Sequence, residues 1–369
     1  MTETIAKTTE VTGKPDAGGA AGMAADRKPA EDKRPEADRR PAADRRPKAA
    51  TVIIPNYNGM RFLPDCIHAL ENQTTDDFEI LVVDNGSADG SAAWLSENGI
   101  RTVLLSENKG FAGGVNAGIR AAGTEFVILL NNDTKVLPDF AEELIQSIRK
   151  SPKRFSCSAM MIKESDHGLI DSAGDGLTVS GWAFQRGIDE PVEKFSKSRK
   201  VFSSCAGAAI YRREVLERIG LFDEMHFAYL EDMDISYRAK LAGYYNYYCP
   251  RAMVYHLGSA TSGSKYNPFK VRISARNNIY LMFKNQPDLQ LLINFLPLLA
   301  GTLVKAGFFL KIGFLKEYLE GILEGLRTCG KCTRAPRAKY GLLTYLAIEW
   351  ELLAGMAEYT INFIRRHCK

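Results

Sequence analysis

A mostly parallel α/β sheet flanked by helices is the fold class that the residue pattern predicts for the middle of this chain, and three observations predict it. Short apolar runs rich in β-branched residues, at 51–54, 80–83 and 126–130, suit strands buried on both faces. Helical apolar spacing separates them, first at Phe62, Cys66, Ile67 and Leu70, then at Val115, Ile119 and Ala122. Strands alternating with helices imply parallel pairing through crossovers. Each run also ends in a polar cluster: Pro55 to Asn58, Asp84-Asn85-Gly86, and Asn131-Asn132-Asp133. In open α/β sheets, ligands bind outside the carboxyl ends of the strands, where these clusters fall.

The elements follow in order. Residues 1–49 are poor in large apolar side chains and carry a six-residue repeat, seen at Asp26–Pro29, Asp32–Pro35, Asp38–Pro41 and Asp44–Pro47. Such a segment buries too little surface to offset chain entropy, so it is expected to be a disordered tail. Residues 50–270 form the sheet domain. Within it, Phe202 to Tyr211 reads as a strand, Glu214 to Ile219 as a short helix, and a helix starting near Leu230 carries the stripe Leu230, Met233, Tyr237 and Leu241. Asp234 and Arg238 on that helix have the spacing of an ordinary surface ion pair.

Residues 271–369 form a helical region of different character. Leu289 to Val304 lacks any charge but contains Asn294 and Pro297, and Lys305, Lys311 and Lys316 follow among Phe and Leu. A spanning helix needs about 20 apolar residues. This run is shorter, so helices lying on a membrane surface are expected. Arg327 to Lys339 adds five basic and no acidic residues, a cluster suited to anionic headgroups. A helical cap or a dimer surface is the structural alternative.

The 369 residues carry 48 basic and 44 acidic side chains, a net charge of +4 that gives no case for nucleic acid. Seven scattered cysteines and the absence of a leader pattern in the first 20 residues fit a reducing, cytoplasmic setting. Cys329 and Cys332 form a lone CxxC with no second pair, which is short of a closed zinc site.

Chemistry concentrates at the strand ends. Asp133 stands where the core opens and reads as a hard oxygen ligand for a divalent cation, or as a helix-capping residue. Asn131 offers a weaker oxygen beside it. Asp84 reads either as an acceptor for a base N–H or sugar hydroxyl, or as the first residue of an Asx-turn. The stretch from Asn108 through Gly110 and Gly113 to Asn116 lets backbone approach closely and opens a helix whose N–H groups suit phosphate; tight helix packing is the alternative. Glu231-Asp232 opens another helix, whose dipole favours the ionised form, and an ionised carboxylate there suits a general base. His256 between a strand-like run and a polar loop suits a third metal ligand.

These motifs, from Val52-Ile53-Ile54-Pro55-Asn56-Tyr57-Asn58 through the Asp84, Asn108–Asn116, Asn131–Asp133, Gly220–Glu224 and Tyr229–Asp234 segments to His256, resemble the inverting glycosyltransferases of family 2 with the GT-A fold. The resemblance covers about Thr51 to Ser264. It implies a Rossmann-like mixed sheet, with 50–270 as the catalytic domain. It implies that Pro55, Asn58, Asp84, Asn108, Gly110, Gly113, Asn116, Asn132 and Glu231 meet the nucleotide or substrate. It implies that Asp133 and His256, with Asn131, hold Mg²⁺ or Mn²⁺, and that Asp232 is the base. The usual Asp-x-Asp motif here begins with Asn131, leaving Asp133 as its only negative charge. Ala173–Gly176 and Gly181–Gly187 are similar to the rhamnosyl-transferring subgroup, in which Trp182 is placed to stack on a sugar or simply to pack. The implied partners are a dTDP- or UDP-linked sugar and a saccharide or lipid-linked acceptor of cell-surface polysaccharide synthesis. Peripheral contact at the inner membrane face and a homo-oligomer complete the expectation. An inactive scaffold of the same fold and a nucleotidyltransferase are the alternatives.

Overall fold

The computed structural model describes residues 47–258, 266–335 and 341–367. The tail up to residue 46 lies outside them, as do Arg337 and Lys339 of the basic cluster. The first half alternates β1 (Ala50–Asn56), α1 (Leu63–Glu71), β2 (Phe78–Asp84), α2 (Ser91–Glu97), β3 (Thr102–Leu104), α3 (Gly110–Ala121) and β4 (Phe126–Leu130). It continues through β5 (Thr134–Val136), α4 (Phe140–Arg149), β6 (Arg154–Lys163), β7 (Asp166–Ser172), β8 (Asp175–Leu177), β9 (Ala183–Gln185), β10 (Arg199–Val201), β11 (Ala208–Arg212), α5 (Arg213–Ile219), α6 (Glu231–Leu241) and β12 (Tyr245–His256). Among the described residues, the α-helices that follow are α7 (Pro268–Asn285), α8 (Asp288–Ile293), α9 (Phe295–Lys311), α10 (Leu315–Thr328) and α11 (Leu342–His367).

The main sheet runs β10-β12-β6-β11-β4-β1-β2-β3, with β5 beside β12 and β7 beside β6. β1 is parallel to both β2 and β4, whereas β11 is antiparallel to β4 and β6, so the sheet is mixed as expected. Burial on both faces explains the unbroken apolar runs. Val52, Ile54, Ile128 and Leu130 pack with Leu63, Phe140 and Leu144 of α1 and α4. Their alternate neighbours Ile53, Val127 and Leu129 pack with Val115 and Ile119 of α3, and with Val215 of α5 and Ile235 of α6.

One expected strand is shorter than its sequence suggests. β11 begins only at Ala208, because Ala206 and Gly207 turn the chain. Gly207 O accepts the Asn131 N–H at 2.9 Å, which fastens this turn to the end of β4. The turn turns out to face the acidic cluster described below.

The stripe on α6 is where the sequence places it. Met233, Tyr237 and Leu241 join Leu281 of α7 and Ile348 and Leu352 of α11 in one buried cluster. The helical C-terminal region therefore packs directly on the helix that carries Asp232. Its outer side differs: Leu292, Leu296 and Leu310 are 73%, 71% and 65% exposed. Among the described residues, no helix is long and apolar enough to cross a membrane.

Glycine is needed where α3 crosses the sheet. A Cβ on Gly118 would lie 2.4 Å from Ile53 Cγ2 and 3.1 Å from Val83 Cγ2. Gly118→Val should therefore lower stability by about 1–3 kcal/mol through overpacking, read as a lower urea midpoint at unchanged slope. An unchanged midpoint would show that α3 is free to move off the sheet.

Candidate active site at the carboxyl ends of the strands

Three strand ends are laced together by side chains. Asn132 donates to Asn56 Oδ1 at 2.7 Å, and Asn56 donates onward to Asp84 Oδ1 at 3.1 Å. Asp84 Oδ2 accepts the Ser87 N–H at 3.1 Å, which realises the turn alternative for this residue. Asn58, with φ of +50°, is exposed and accepts the Ala88 N–H at 2.8 Å. Pro55 is half-buried beside this lacing, in register with Val83.

The glycine-rich segment is largely occupied by its own fold. Asn85 donates to Asn108 Oδ1 at 3.1 Å and to Gly110 O at 2.9 Å. Asn108 Oδ1 also accepts the Gly110 N–H at 2.8 Å, and the Ala112 N–H donates to Phe227 O at 3.1 Å. These first N–H groups of α3 are thus already bonded within the protein. Gly110 sits at φ +71°, where a Cβ would come within 2.4 Å of Phe227 O. Gly113 packs on Lys109 in the same way. Asn116 bonds Phe222 through both its amide groups and reaches Glu224 Oε1 at 2.9 Å, so it ties α3 to the Gly220–Glu224 segment.

Asp133 and His256 come together. β5 pairs antiparallel with β12, placing Thr134 opposite His256, and Leu257 N donates to Asp133 O at 3.1 Å. His256 Nε2 lies 3.4 Å from Asp133 Oδ1, and Nδ1 lies 2.8 Å from Asp171 Oδ2. Burial alone would lower the imidazole pKa; the hydrogen bonds and charges of Asp133 and Asp171 outweigh it and raise the pKa to about 9. An imidazole held at one nitrogen by a carboxylate presents the other as an oriented ligand. Asp133 oxygen and His256 Nε2 therefore fit a divalent cation that accepts hard oxygen and imidazole donors. Asn131 packs against the Gly207 turn, its Nδ2 3.0 Å from where a Cβ on Gly207 would stand.

Asp232 lies in a second acidic group. Ligating atoms of Asp175, Cys205 and Asp232 all fall within 4.8 Å of one another. Burial raises the pKa of Asp232, and that of Asp175 and Glu231 well above the usual carboxylate range, with the Asp232 charge adding to both. The helix dipole invoked for Asp232 is thus outweighed by desolvation. Within the group, only Asp232 accepts two backbone N–H bonds, from Met233 at 2.7 Å and Ala206 at 3.3 Å. Those donors favour its charged form, which makes Asp232 the first of the three to ionise. Glu231 Oε2 is buried without a partner among the described residues. Burial and the neighbouring acids also hold the Cys205 thiol protonated.

Asp171 and Asp175 were not anticipated as site residues. The segment between them joins the two groups, since Ser172 donates to Asp175 Oδ1 at 3.2 Å while Asp171 holds His256. The available signal was a pair of acids four residues apart around Ser172-Ala173-Gly174.

Two expectations change. The Asp234–Arg238 pair is buried, not superficial: Asp234 Oδ2 accepts from Arg238 Nε and from Lys284 Nζ, both at 2.9 Å. Burial opposes ionisation, but these cations hold the Asp234 carboxyl far below the usual range. Trp182 donates to Gly301 O at 3.2 Å and meets Tyr359 edge-on, so it packs against α9 and α11.

A mixed α/β sheet with acidic groups gathered at its strand ends is thus the class that fold and site define. Residues 51–220 match the family model described as Glycosyl transferase family 2, so the chain carries a glycosyl transferase family 2 domain. It is similar to the putative glycosyltransferase EpsH of Bacillus subtilis, at 26% identity over 52% of this chain and 55% of the relative. Similarity extends to the N-acetylglucosaminyl-diphospho-decaprenol L-rhamnosyltransferase of Mycobacterium tuberculosis, at 26% identity over 58% of this chain and 77% of the relative. The chain spans about half the length of several curated relatives, 55% of EpsH and 60% of an uncharacterized glycosyltransferase of Nostoc among them. Among solved structures, it is similar to the mannosyltransferase PcManGT from Pyrobaculum calidifontis, with 17% identity, a TM-score of 0.45, and 86% of this chain and 89% of that one covered.

The raised His256 pKa has a consequence for cation binding. Below about pH 9 a proton occupies the imidazole that faces Asp133. A metal ion must displace it, so Mn²⁺ affinity should climb by roughly tenfold per pH unit from pH 7 towards 9, with a proton released on binding. Calorimetric titration in buffers of different ionisation enthalpy measures both. A pH-independent affinity would remove His256 from the ligand set.

Proposed function

We propose that this chain is an inverting glycosyltransferase that moves a sugar from a nucleoside-diphosphate sugar to a saccharide or lipid-linked acceptor. The observation that carries the reading is the juxtaposition, at the carboxyl ends of the strands, of a cation-suited Asp133–His256 pair and a half-buried carboxylate, Asp232, poised to ionise before its neighbours. Asp232 takes the proton of the acceptor hydroxyl. The acceptor oxygen then attacks the anomeric carbon on the face opposite the phosphate, and one displacement inverts that centre. Asp133 and His256 would hold Mg²⁺ or Mn²⁺, which would offset the charge developing on the diphosphate. Asp84, with Pro55 and Asn58, lies against the nucleoside. Asn132 holds this edge in place through Asn56. Asn108, Gly110, Gly113 and Asn116 shape its wall by packing, and Glu231 stays protonated to donate to substrate.

Relatives named rhamnosyltransferases support a deoxyhexose donor, dTDP- or UDP-linked, and a role in cell-surface polysaccharide synthesis. The exposed leucines of α8 and α9 support peripheral contact with the inner membrane face, where a lipid-linked acceptor resides. Between Leu289 and Lys316 there is no acidic side chain, and the exposed Lys311 and Lys316 suit anionic headgroups, whereas Lys305 is turned in over the Trp182 ring. Arg334 is spoken for: it donates to Asp288 at 3.0 Å and to Gln286 O at 2.8 Å.

Two experiments test this reading. Nucleoside diphosphate release should be screened over UDP- and dTDP-sugars with Mn²⁺. Asp232→Asn should cut turnover by about 10²–10⁴-fold while leaving donor affinity nearly intact. Because Asp232 acts ionised and burial raises its pKa, wild-type turnover should fall as pH drops through a value above the ordinary Asp range near 3.9. An active Asp232→Asn enzyme removes the assignment, and pyrophosphate release identifies a nucleotidyltransferase. Separately, Leu292→Ser/Leu296→Ser should reduce co-sedimentation with phosphatidylglycerol vesicles. Equal binding by the double variant rules out this helical face.

A further inference from the structure

The backbone that delivers Glu231 and Asp232 is strained. Phe227, Tyr229 and Leu230 have φ of +63°, +68° and +67°, positive values that side-chain-bearing residues seldom adopt. Three such residues within four positions need external support. α3 holds Phe227 O through the Ala112 N–H, and the other carbonyls of the turn are held by one helix, α7. Asn277 is fully buried, and its Nδ2 lies 2.8, 2.8 and 2.7 Å from the carbonyl oxygens of His226, Ala228 and Tyr229. Arg276 Nη2 donates to Met225 O at 3.0 Å and to His226 O at 3.1 Å. Arg276 Nε also bonds Asn277 Oδ1 at 3.1 Å, which orients the amide toward the turn. Arg276 is braced in turn by Glu324 of α10 at 3.1 Å.

The same helix grips the far side of the acidic pair. Lys284 Nζ and Asn285 Nδ2 bond the Asp234 carboxylate at 2.9 and 2.8 Å. Glu231 and Asp232 thus sit between two anchor points on α7. The turn cannot relax without leaving buried carbonyl groups unsatisfied, which is costly.

We infer that Asn277, with Arg276, is a positioning residue: it holds the positive-φ turn over 226–230 so that Asp232 faces Asp175 and the Ala206 turn. Asn277 touches no reacting atom and acts only through the backbone. The inference rests on Asp232 being the proposed base, but the clamp itself is open to a measurement that needs no turnover. Asn277→Asp keeps the side chain's shape and removes both donors. Leu230→Gly adopts a positive φ without the steric cost, so it should partly compensate.

The test uses the full chain. Hydrogen exchange by mass spectrometry should show faster exchange in peptides over residues 225–232 of Asn277→Asp, with the β1–β4 peptides unchanged. Hydrolysis of dTDP-rhamnose or UDP-N-acetylglucosamine should lose about tenfold or more in kcat, with donor KM within about twofold. Adding Leu230→Gly should recover part of both losses. Should Asn277→Asp fail to fold, Glu324→Gln weakens the brace from a half-buried position and should raise exchange in the same peptides to a smaller degree. Unchanged exchange at 225–232, or exchange that rises uniformly over the chain, overturns the clamp. If the wild-type protein hydrolyses neither donor, the enzymatic reading loses support and the exchange result alone decides the clamp.

Discussion

A carboxylate taken out of water must be paired, hydrogen-bonded or protonated, and the strand ends of this protein take several acids out of water together. Each is met differently. Asp234 is paired with Arg238 and Lys284. Asp133 and Asp171 share the imidazole of His256. Asp232 is met by backbone N–H groups, while Asp175 and Glu231 hold on to their protons. This division of labour sets the chemistry available at the edge. Asp133 and His256 suit a cation, Asp232 suits proton removal, and Asp234 is structural. The difference between Asp232 and Asp234, two residues apart on one helix, is decided entirely by what each faces.

The same constraint explains why the C-terminal helices matter to the sheet. Lys284, which neutralises Asp234, and Asn277, which supports the turn before Glu231, both belong to α7. α7 packs on α10 through glycines: a Cβ on Gly321 would come within 2.2 Å of Arg272 O. The inner side of this helical layer is therefore built to hold the acidic edge. Its outer side leaves leucines in solvent well beyond what a packed surface requires. An exposed apolar side and a side that braces the acidic edge are two faces of the same few helices.

Much of the fold was legible because local pattern and burial agree there. The runs that form β1, β2 and β4 are apolar on both faces, and the helices between them show one apolar stripe each. Asp84, Asp133, Asp232 and His256 were also legible, because polar residues that end buried strands or open helices stand out against their surroundings. Less was legible where one residue type serves two purposes. Asn108, Asn116 and the glycines of α3 suit ligand contact or internal bracing equally well in sequence. In the fold, their donors and acceptors are already satisfied by Asn85, Phe222 and Glu224. Trp182 reads the same way, and its partners come from helices more than a hundred residues downstream.

From sequence alone, this protein's alternation of strands and helices, the family it resembles and the carboxylates worth watching were all determined, because periodicity and motif order are properties of neighbours along the chain. Tertiary structure decided which carboxylates are charged, which imidazole nitrogen faces Asp133, and that Asp171, Asp175 and Asn277 belong to the same edge. Those outcomes depend on desolvation and on donors brought in from distant segments, and neither is written in local order.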